Sequence, residues 1–299
     1  MTAFRSGFVT VVGRPNVGKS TLVNRLVGTK VAITSDRPQT TRSEVRGVRT
    51  NQPVSQIVFL DTPGLHKPRT ALGERTNQRA LATLAEVDVI SHLIDASAPI
   101  GPGDRFVAEI VHRVDTPSVL VVNKIDSVGK AAVADQLALA AGELGDYDAF
   151  VPLSAKTGEG TDALVGELEA RLPEGPAYYP EGVVTDQPET VLAAEILREK
   201  LISVTRDELP HSITVACEVD DDGEEARDDL LRLRATVRVE RESQKGMVIG
   251  RGGAVLKTAG SEARRELEAL LGIRIHLETR VRVERDWQRR PASLDRLGY

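Results

Sequence analysis

The sequence predicts an α/β domain with a mostly parallel, doubly wound sheet, followed by a small α+β domain. The chain has 299 residues, twice the roughly 150 that one domain commonly takes. In residues 1–173 short apolar runs alternate with helical patterns, which is typical of a parallel sheet covered on both faces. Residues 173–188 carry four prolines without helical or strand periodicity, as expected of a linker. We assign the first domain to 1–173, the linker to 174–190, the second domain to 191–285 and a tail to 286–299.

Hydrophobic periodicity predicts the elements of both domains. The expected strands of the first domain are Phe8–Val12, the hairpin pair Val45–Arg49 and Val54–Leu60, Val87–Ile94, Ser118–Val122 and Phe150–Pro152. Its expected helices are Lys19–Val27, Gly73–Glu86, Gly103–Arg113, Ala131–Leu144 and Thr161–Leu172. The second domain is expected to contain, in order, helix Glu189–Val204, strands Ser212–Val219 and Leu231–Glu240, a glycine-rich turn, helix Ala254–Leu271 and strand Ile273–Val283.

Composition argues against several classes of protein. No segment approaches the ~20 uncharged apolar residues of a membrane span, and the N-terminus lacks the apolar run of a secretory signal, so we expect a mature cytosolic chain. The single cysteine, Cys217, lies in an alternating apolar run, which predicts a packed thiol in a reducing compartment. The net charge of −5 hides an asymmetry: Glu218–Asp229 holds eight acidic residues, whereas Arg232–Tyr299 holds sixteen basic and nine acidic ones.

Residues Gly13–Ser20 read GRPNVGKS and fit the phosphate-binding pattern G-x-x-x-x-G-K-[ST] between an expected strand and an expected helix. Glycines let backbone amides close around phosphate oxygens, and the helix that follows directs its positive dipole end at them. Lys19 supplies a point charge to the β- and γ-phosphates, and Ser20 supplies a hydroxyl to Mg²⁺. The loop predicts a nucleotide site but does not separate ATP from GTP.

Two short motifs indicate the base. Asn123–Asp126 (NKID) follows one expected strand and Ser154–Lys156 (SAK) follows the next, so both stand at the strand ends where α/β sheets bind ligands. The Asp126 carboxylate can accept hydrogen bonds from N1–H and the exocyclic amine of guanine, a donor pair that adenine lacks. Lys124 can lie along the base, Asn123 can brace the loops, and a backbone amide of SAK can meet guanine O6.

Two further segments are expected to respond to the γ-phosphate. Asp61–Gly64 (DTPG) ends the hairpin, so that Asp61 can hold Mg²⁺ through water and the Gly64 amide can bond the phosphate. In Thr40-Thr41-Arg42 one hydroxyl, assigned to Thr41, completes the Mg²⁺ shell. Leu65 stands where many GTPases carry a water-orienting glutamine, which predicts slow intrinsic turnover. The neighbouring His66 is interpreted as an exposed loop residue rather than a base.

The five motifs GRPNVGKS, QTTR, DTPG, NKID and SAK, in this order, resemble the GTPase family over the whole first domain. The resemblance implies a P-loop GTPase fold that binds GTP and GDP and hydrolyses GTP to GDP and phosphate. The expected catalytic residues are Lys19, Thr41 and Gly64, and the expected metal ligands are Ser20, Thr41 and Asp61. The expected nucleotide-binding residues are Gly13, Arg14, Pro15, Asn16, Val17, Gly18, Lys19, Ser20, Thr21, Asp61, Thr62, Pro63, Gly64, Leu65, Asn123, Lys124, Asp126, Ser154, Ala155 and Lys156.

The second domain contains Gly250–Gly253, a G-x-x-G loop read as following a strand and preceding a helix. In the KH arrangement such a loop clamps the backbone of about four single-stranded nucleotides. Arg251 adds charge, and Val248 and Ile249 are expected to form the floor of the base groove. The expected RNA-binding residues are Gly246, Val248, Ile249, Gly250, Arg251, Gly252, Gly253 and Lys257. Trp287 is expected to pack rather than to stack on a base, and Asp220–Asp229 to form a solvated loop.

With the linker PAYYPEGVVTDQPE and the helix LAAEILREKL, the chain resembles the Era family of bacterial ribosome-assembly GTPases, in the Era/TrmE-type superfamily. The resemblance runs from GFVTVVGRPNVGKSTLVNRLVG to LDRLGY and implies a type II KH domain. It implies GTP-gated binding to the 3′ end of 16S ribosomal RNA during 30S subunit maturation, peripheral membrane association and a monomer. Similarity to the subgroup with a hydrophobic residue at the position of Leu65 implies K⁺ near Asn16 and the phosphates. The acidic run DDDGEEARDD and the basic tail WQRRPASLDRLGY depart from the family pattern.

Other functions stay open on the sequence alone. The KH-like domain can instead bind a protein partner, which would make the chain a GTP-gated regulatory protein. The salt dependence of binding distinguishes the RNA-binding hypothesis from the protein-binding one, because contacts to RNA phosphates weaken steeply with ionic strength. A membrane-docked regulator would need an amphipathic anchor, and the sequence shows none.

Overall fold

The computed structural model describes residues 3–35, 37, 40–65, 70–205, 209–220 and 230–297, without the side chains of 210 and 211. His66, residues 221–229 of the acidic run and residues 298–299 of the tail lie outside the described residues. The chain divides into two compact units, the first comprising 1–34, 41–69 and 73–186 and the second comprising 35–40, 70–72 and 187–299. Within the described ranges, none of the helices combines the length and the apolar character needed to cross a bilayer.

The first unit is built on a six-stranded sheet of order β2-β3-β1-β4-β5-β6. The strands are β1 (Arg5–Val12), β2 (Val45–Asn51), β3 (Ser55–Asp61), β4 (Val89–Asp95), β5 (Ser118–Asn123) and β6 (Ala149–Pro152). All neighbouring pairs are parallel except β2 and β3, which form the predicted hairpin. The sheet is therefore mostly parallel, as the alternation of elements predicted.

Helices cover both faces of this sheet. They are α1 (Lys19–Val27), α2 (Ala71–Leu84), α3 (Pro102–Val111), α4 (Lys130–Glu143) and α5 (Thr161–Arg171). Leu22 of α1 and Leu168 of α5 share one core cluster with Val9 of β1. Leu84 of α2 and Val107 of α3 lie in another cluster. Strands buried on both faces have no polar face, which explains their near-continuous apolar sequences.

The segment between the predicted domains is bound to the hairpin of the first unit. Gln56 is fully buried, and its Oε1 accepts hydrogen bonds from the amides of Tyr178 and Tyr179 at 2.7 and 2.9 Å. Its Nε2 donates to the Tyr179 carbonyl and to the Thr50 hydroxyl, both at 2.9 Å. The Val48 amide of β2 donates to the Val184 carbonyl at 2.8 Å, so this segment satisfies part of the outer edge of the sheet.

The second unit contains α6 (Glu189–Val204), α7 (Leu209–Ser212), β7 (Thr214–Val219), β8 (Leu230–Val239), α8 (Glu242–Ile249), α9 (Ala254–Leu271), β9 (Arg274–Val283) and α10 (Pro291–Arg296). Strand β8 pairs antiparallel with β7 and parallel with β9. Helices α6 and α9 pack on each other, α6 also on β7 and α9 on β9. The prediction that the G-x-x-G loop directly follows a strand is wrong, because α8 stands between β8 and the loop.

The prediction that Trp287 packs in the protein interior is confirmed, whereas Cys217 is only partly buried. Trp287 is fully buried, donates from Nε1 to the Ser212 carbonyl at 3.0 Å, and packs with Leu72 and Leu294. Burial, assisted by the charge of Glu218, raises the pKa of the Cys217 thiol to about 12, which disfavours the reactive thiolate.

Candidate functional site

The turn between β1 and α1 carries the phosphate loop at the carboxyl end of the sheet. Asn16 and Gly18 have φ of 66° and 100°, in the left-handed region. A Cβ at Gly13 would lie 2.5 Å from the Leu93 carbonyl oxygen, and one at Gly18 would overlap the Asn123 amide. Glycine is therefore required at both positions, and the loop ends where α1 begins, with its amides available to an anion.

Lys19 lies beneath this loop with 7% of its surface exposed. Its Nζ donates to the carbonyls of Gly13 and Arg14, each at 3.2 Å. Burial lowers the pKa of Lys19 to about 8; Asp61 opposes the shift and Arg14 adds to it. A phosphate beside the ammonium would raise this pKa, so the site favours an anionic ligand.

Three oxygen-bearing side chains from separate segments meet next to Lys19. The Ser20 hydroxyl donates to Asp61 Oδ2 at 2.7 Å and lies 3.0 Å from the Thr41 hydroxyl. Thr41 in turn donates to Asp61 Oδ2 at 3.2 Å. Burial raises the pKa of Asp61, although Ser20, Lys19 and Thr41 oppose the shift. Asp61 Oδ1 is buried and has no hydrogen-bond partner among the described residues.

This donor set fits Mg²⁺. Hydroxyl and carboxylate oxygens are the hard ligands that Mg²⁺ prefers, and the ion commonly takes its other ligands from water and substrate phosphates. The unpaired Asp61 Oδ1 is an acceptor that a metal-bound water can satisfy. The predicted metal residues Ser20, Thr41 and Asp61 are thus brought together.

The residues after Asp61 are fixed by contacts to the protein interior. Thr62 donates from its hydroxyl to the Val11 carbonyl at 3.1 Å, and a Cβ at Gly64 would lie 3.1 Å from Lys19 Nζ. Leu65 is 1% exposed and packs in the core cluster that contains Leu84. Its side chain therefore offers nothing to a nucleotide or a water, so any nucleotide contact of Leu65 is limited to its main chain.

The NKID and SAK segments meet at the ends of β5 and β6. Asn123 donates from Nδ2 to the Val17 carbonyl at 2.7 Å and accepts from the Ala155 amide at 2.9 Å, which confirms its predicted bracing of the loops. Lys124 donates to the Asn16 carbonyl at 2.8 Å. The Ser154 hydroxyl donates to Asp126 Oδ1 at 2.7 Å and so fixes the carboxylate predicted to recognise guanine.

Several side chains of this site carry no sequence motif. Asp95, at the end of β4, binds Lys124 Nζ at 2.7 Å; burial favours a higher pKa for Asp95, but hydrogen bonds from Lys124 and Ser97 outweigh it and lower the pKa. Asn24 Oδ1 accepts from the amides of Val31 and Ala32, both at 2.9 Å. Only the position of Asp95 at a strand end was a usable sequence signal.

Arg25 ties α1 to the SAK segment. Its Nε donates to the Ala155 carbonyl at 3.1 Å, and its Nη2 donates to the Lys156 carbonyl. A cavity of about 410 Å³ opens beside these contacts. Its lining residues are Thr21, Asn24, Arg25, Gly28, Thr29, Lys30, Thr34, Ala155 and Lys156. The cavity therefore adjoins the predicted guanine-recognition residues.

In the second unit the G-x-x-G loop joins α8 to α9. Gly250, Gly252 and Gly253 have φ of 72°, 61° and 79°. A Cβ at Gly250 would lie 2.5 Å from the Val255 side chain, whereas the space at Gly252 and Gly253 is open within 4 Å. The loop is thus open to a ligand at its second and third glycines.

The flanks of this loop differ in part from the prediction. Arg251, Lys257 and Gly246 lie at or near the surface. Val248 is fully buried, so the expectation that it forms a surface for bases is wrong: it belongs to the protein interior. Met247, one residue earlier, is 60% exposed and presents apolar surface instead. The one-residue difference arises because residues 242–249 are helical, so successive side chains point to different sides.

Comparison with known proteins gives the family. A family model described as a 50S ribosome-binding GTPase matches residues 8–124, and a KH domain model matches residues 208–288. GTPase Era of Mycobacterium avium is 52% identical over 301 residues, and GTPase Era of Mycolicibacterium smegmatis is 52% identical over 302 residues; both comparisons cover 100% of each chain. The chain belongs to the Era family. It is a GTPase.

Solved structures of Era extend the similarity to three dimensions. A crystal structure of an Aquifex aeolicus Era variant bound to GDP and AlF₄⁻ matches with a TM-score of 0.94 at 40% identity, covering 99% of each chain. Era in complex with MgGDPNP and nucleotides 1506–1542 of 16S ribosomal RNA matches equally well. These Era structures confirm the predicted fold class, a P-loop GTPase domain followed by a KH domain.

Proposed function

We propose that the protein is a GTP-gated switch that binds the 3′ end of 16S ribosomal RNA and assists assembly of the 30S subunit. The proposal rests on the combination of two features in one chain. Ser20, Thr41 and Asp61 converge from three segments, and the G-x-x-G loop is open at its second and third glycines. The first feature suits a site that senses a γ-phosphate, and the second suits a clamp on single-stranded RNA. The similarity to Era bound to MgGDPNP and 16S ribosomal RNA nucleotides supports it.

In this proposal the first unit binds GTP and GDP through the residues predicted from the motifs. Backbone amides of Gly13–Thr21 hold the phosphates, Lys19 adds positive charge, and Asp126, positioned by Ser154, accepts the guanine donors. Ser20, Thr41 and Asp61 hold Mg²⁺. When bound, the ion neutralises phosphate charge. Thr41 and the Gly64 amide are the groups whose position depends on the γ-phosphate.

Hydrolysis has no side-chain help from Leu65, because that side chain is buried in the core. We assign the missing assistance to K⁺ held near Asn16, whose left-handed backbone places it on the exposed rim of the phosphate loop. Turnover is then faster in KCl than in NaCl at equal ionic strength, and Asn16→Ala removes the difference. Equal rates in both salts would remove K⁺ from the scheme.

In the second unit, Gly250–Gly253 with Arg251 holds the RNA backbone, and Gly246, Ile249 and Lys257 flank it. The test is binding of a labelled RNA with the 16S 3′-end sequence, against a scrambled RNA, between about 50 and 200 mM salt. We expect preference for the first RNA and a loss of affinity of about tenfold or more over this range, because phosphate contacts release counterions. Binding that ignores both sequence and salt would instead favour the protein-partner reading.

We further propose that the protein is a cytoplasmic monomer that associates weakly with the inner face of the cell membrane. In this proposal the GTPase domain comprises residues 1–173, the linker 174–190, the KH domain 191–285 and the tail 286–299. Sedimentation equilibrium tests the monomer. Co-sedimentation with anionic vesicles tests the membrane association, and binding equal to that of a carrier protein such as albumin would rule it out.

A further inference from the structure

One arginine of the second unit is buried far more deeply than partly exposed arginines such as Arg234 and Arg238. Arg198, on α6, is fully buried. Its Nε donates to Glu195 Oε1 at 2.9 Å and its Nη2 to Glu195 Oε2 at 2.6 Å. Burying a guanidinium removes it from water at a free-energy cost that an apolar side chain of similar size would avoid. The two hydrogen bonds to one carboxylate hold the planar group in a single orientation.

The same Nη2 also donates to the main-chain carbonyl of Thr40. Thr40 ends the segment 35–40, which groups with the second unit, and Thr41 begins the next segment of the first unit. The carbonyl of Thr40 and the nitrogen of Thr41 belong to one planar peptide group. Fixing the direction of that carbonyl therefore also fixes the orientation of the Thr41 amide and the position of the Thr41 Cα.

Thr41 carries the hydroxyl that lies 3.0 Å from Ser20 and 3.2 Å from Asp61. We propose that Arg198 is a positioning residue for GTP hydrolysis, which holds the Thr40–Thr41 peptide so that the Thr41 hydroxyl stays at the metal site. The inference rests on the proposed role of Thr41 as a magnesium ligand.

A purely structural role for Arg198 makes different predictions. An arginine that only stabilises α6 would affect unfolding and would affect GDP and GTP states alike. A positioning residue that acts through Thr41 affects the state with a γ-phosphate, because only that state uses the Thr41 hydroxyl as a ligand. The dependence of hydrolysis on Mg²⁺ concentration is a second readout that packing alone does not move.

The experiment uses the full chain with Arg198→Met, which keeps much of the side-chain length and removes the donors, and Arg198→Lys, which keeps the charge. Lys200→Met is the matched control, because Lys200 lies on the same helix and pairs with Glu266 rather than with Thr40. Thr41→Ala is the reference for loss of the metal ligand. Hydrolysis rate, Mg²⁺ requirement, affinities for GDP and a non-hydrolysable GTP analogue, and the thermal midpoint are measured for each.

We expect Arg198→Met to lower the hydrolysis rate about tenfold to a hundredfold, as a displaced ligand would, and to raise the Mg²⁺ concentration for half-maximal rate. GDP affinity stays within about twofold, Arg198→Lys recovers part of the rate, and Lys200→Met behaves as wild type. If Arg198→Met folds and keeps the wild-type rate and Mg²⁺ requirement while Thr41→Ala loses both, the positioning role is overturned and the proposed function stands.

Two further outcomes are decisive. If Thr41→Ala itself hydrolyses GTP normally, the metal-ligand role of Thr41 fails, and the role of Arg198 fails with it. If Arg198→Met does not fold, Arg198→Lys decides, because it keeps the ion pair with Glu195 but lacks the fixed planar fork. A Lys variant with wild-type GDP binding and a raised Mg²⁺ requirement supports the inference, and one with an unchanged requirement overturns it.

Discussion

Lys19 gives the nucleotide site a measurable pH dependence. Burial lowers its pKa from 10.5 to about 8, with Asp61 opposing the shift and Arg14 adding to it. A bound phosphate stabilises the ammonium and raises its pKa, so binding takes up a proton wherever the free protein has lost one. Affinity for a GTP analogue is therefore constant well below pH 8 and falls as pH rises through that value. The limiting slope is about tenfold per pH unit.

Fluorescence titration of a labelled GTP analogue at a series of pH values measures this slope. Lys19→Ala is the control: it binds the analogue weakly, and the fall in affinity near pH 8 disappears. An affinity in wild type that is flat across this region would contradict the assignment of the lowered pKa to Lys19.

Asp126 is expected to choose the base. Asp126→Asn replaces an acceptor-only carboxylate with an amide whose donor can meet the second carbonyl of xanthine. We expect GTP affinity to fall at least about a hundredfold and xanthosine triphosphate to bind in its place, because mismatched buried polar groups are left unpaired. Competition binding measures both.

Ser154→Ala serves as the comparison for Asp126, because it leaves the carboxylate in place and removes the 2.7 Å hydrogen bond that orients it. The same change also removes the acceptor of the Thr157 amide, which lies 3.1 Å from the Ser154 hydroxyl. It should weaken GTP binding by less, about tenfold or below, without admitting xanthosine nucleotides. Unchanged GTP affinity in Asp126→Asn would end the base-recognition role.

Among the connecting elements, the G-x-x-G loop can be tested without unfolding the second unit. Gly252 has a φ of 61° and open space within 4 Å, and aspartate tolerates left-handed backbone better than most residues. Gly252→Asp places a negative charge where the RNA backbone is expected. We expect RNA affinity to fall at least about a hundredfold while GTP hydrolysis stays within about twofold.

Gly182→Asp is a stereochemically matched control, since Gly182 has a φ of 86° and no heavy atom within 4 Å of a built Cβ. It lies in the predicted linker and should leave RNA binding unchanged. Gel shift or anisotropy measures both variants. If Gly252→Asp still binds RNA with wild-type affinity, the G-x-x-G loop is not the RNA-binding clamp.

The linker is expected to contribute to the stability of the first unit. Gln56→Leu removes four hydrogen bonds and leaves the amides of Tyr178 and Tyr179 without their acceptor. We expect the free energy of unfolding to fall by about 2–4 kcal/mol, measured by urea denaturation. Thr50→Val removes one of these bonds and should lower it by about 1 kcal/mol. Equal stability of Gln56→Leu and wild type would show that these bonds do not hold the linker.

For the molecule as a whole, gating means that nucleotide and RNA affinities are coupled. The RNA affinity should differ at least about fivefold between the GDP and GTP-analogue states, and RNA should change the ratio of nucleotide affinities by the same factor. Thr41→Ala should abolish the difference, because it removes the ligand that distinguishes the states. Calorimetric titration in both orders measures the coupling. Equal RNA affinities in the two states would show that the chain is not gated by GTP.

The order of elements and the nucleotide motifs were readable from the sequence because their signals are local. A phosphate is bound by consecutive amides, so Gly13–Ser20 must be contiguous in the chain. Parallel strands buried on both faces are nearly continuous runs of apolar residues, which made β1, β4 and β5 recognisable in the sequence. Helix α8 was not predicted from the sequence, because it is short, contains Gly246 and buries only Val248. It therefore has no repeating apolar pattern.

The tertiary structure decided the rest, because it concerns atoms that are distant in sequence. Gln56 reaches the linker at 178–179, and Arg25 reaches the SAK segment at 155–156. Arg198 reaches Thr40 across 158 positions. Residue type and sequence spacing do not predict which remote residues meet, because a hydrogen bond requires donor and acceptor to lie about 3 Å apart in space. The sequence by itself therefore determined the chemistry, and the fold determined which side chains hold that chemistry in place.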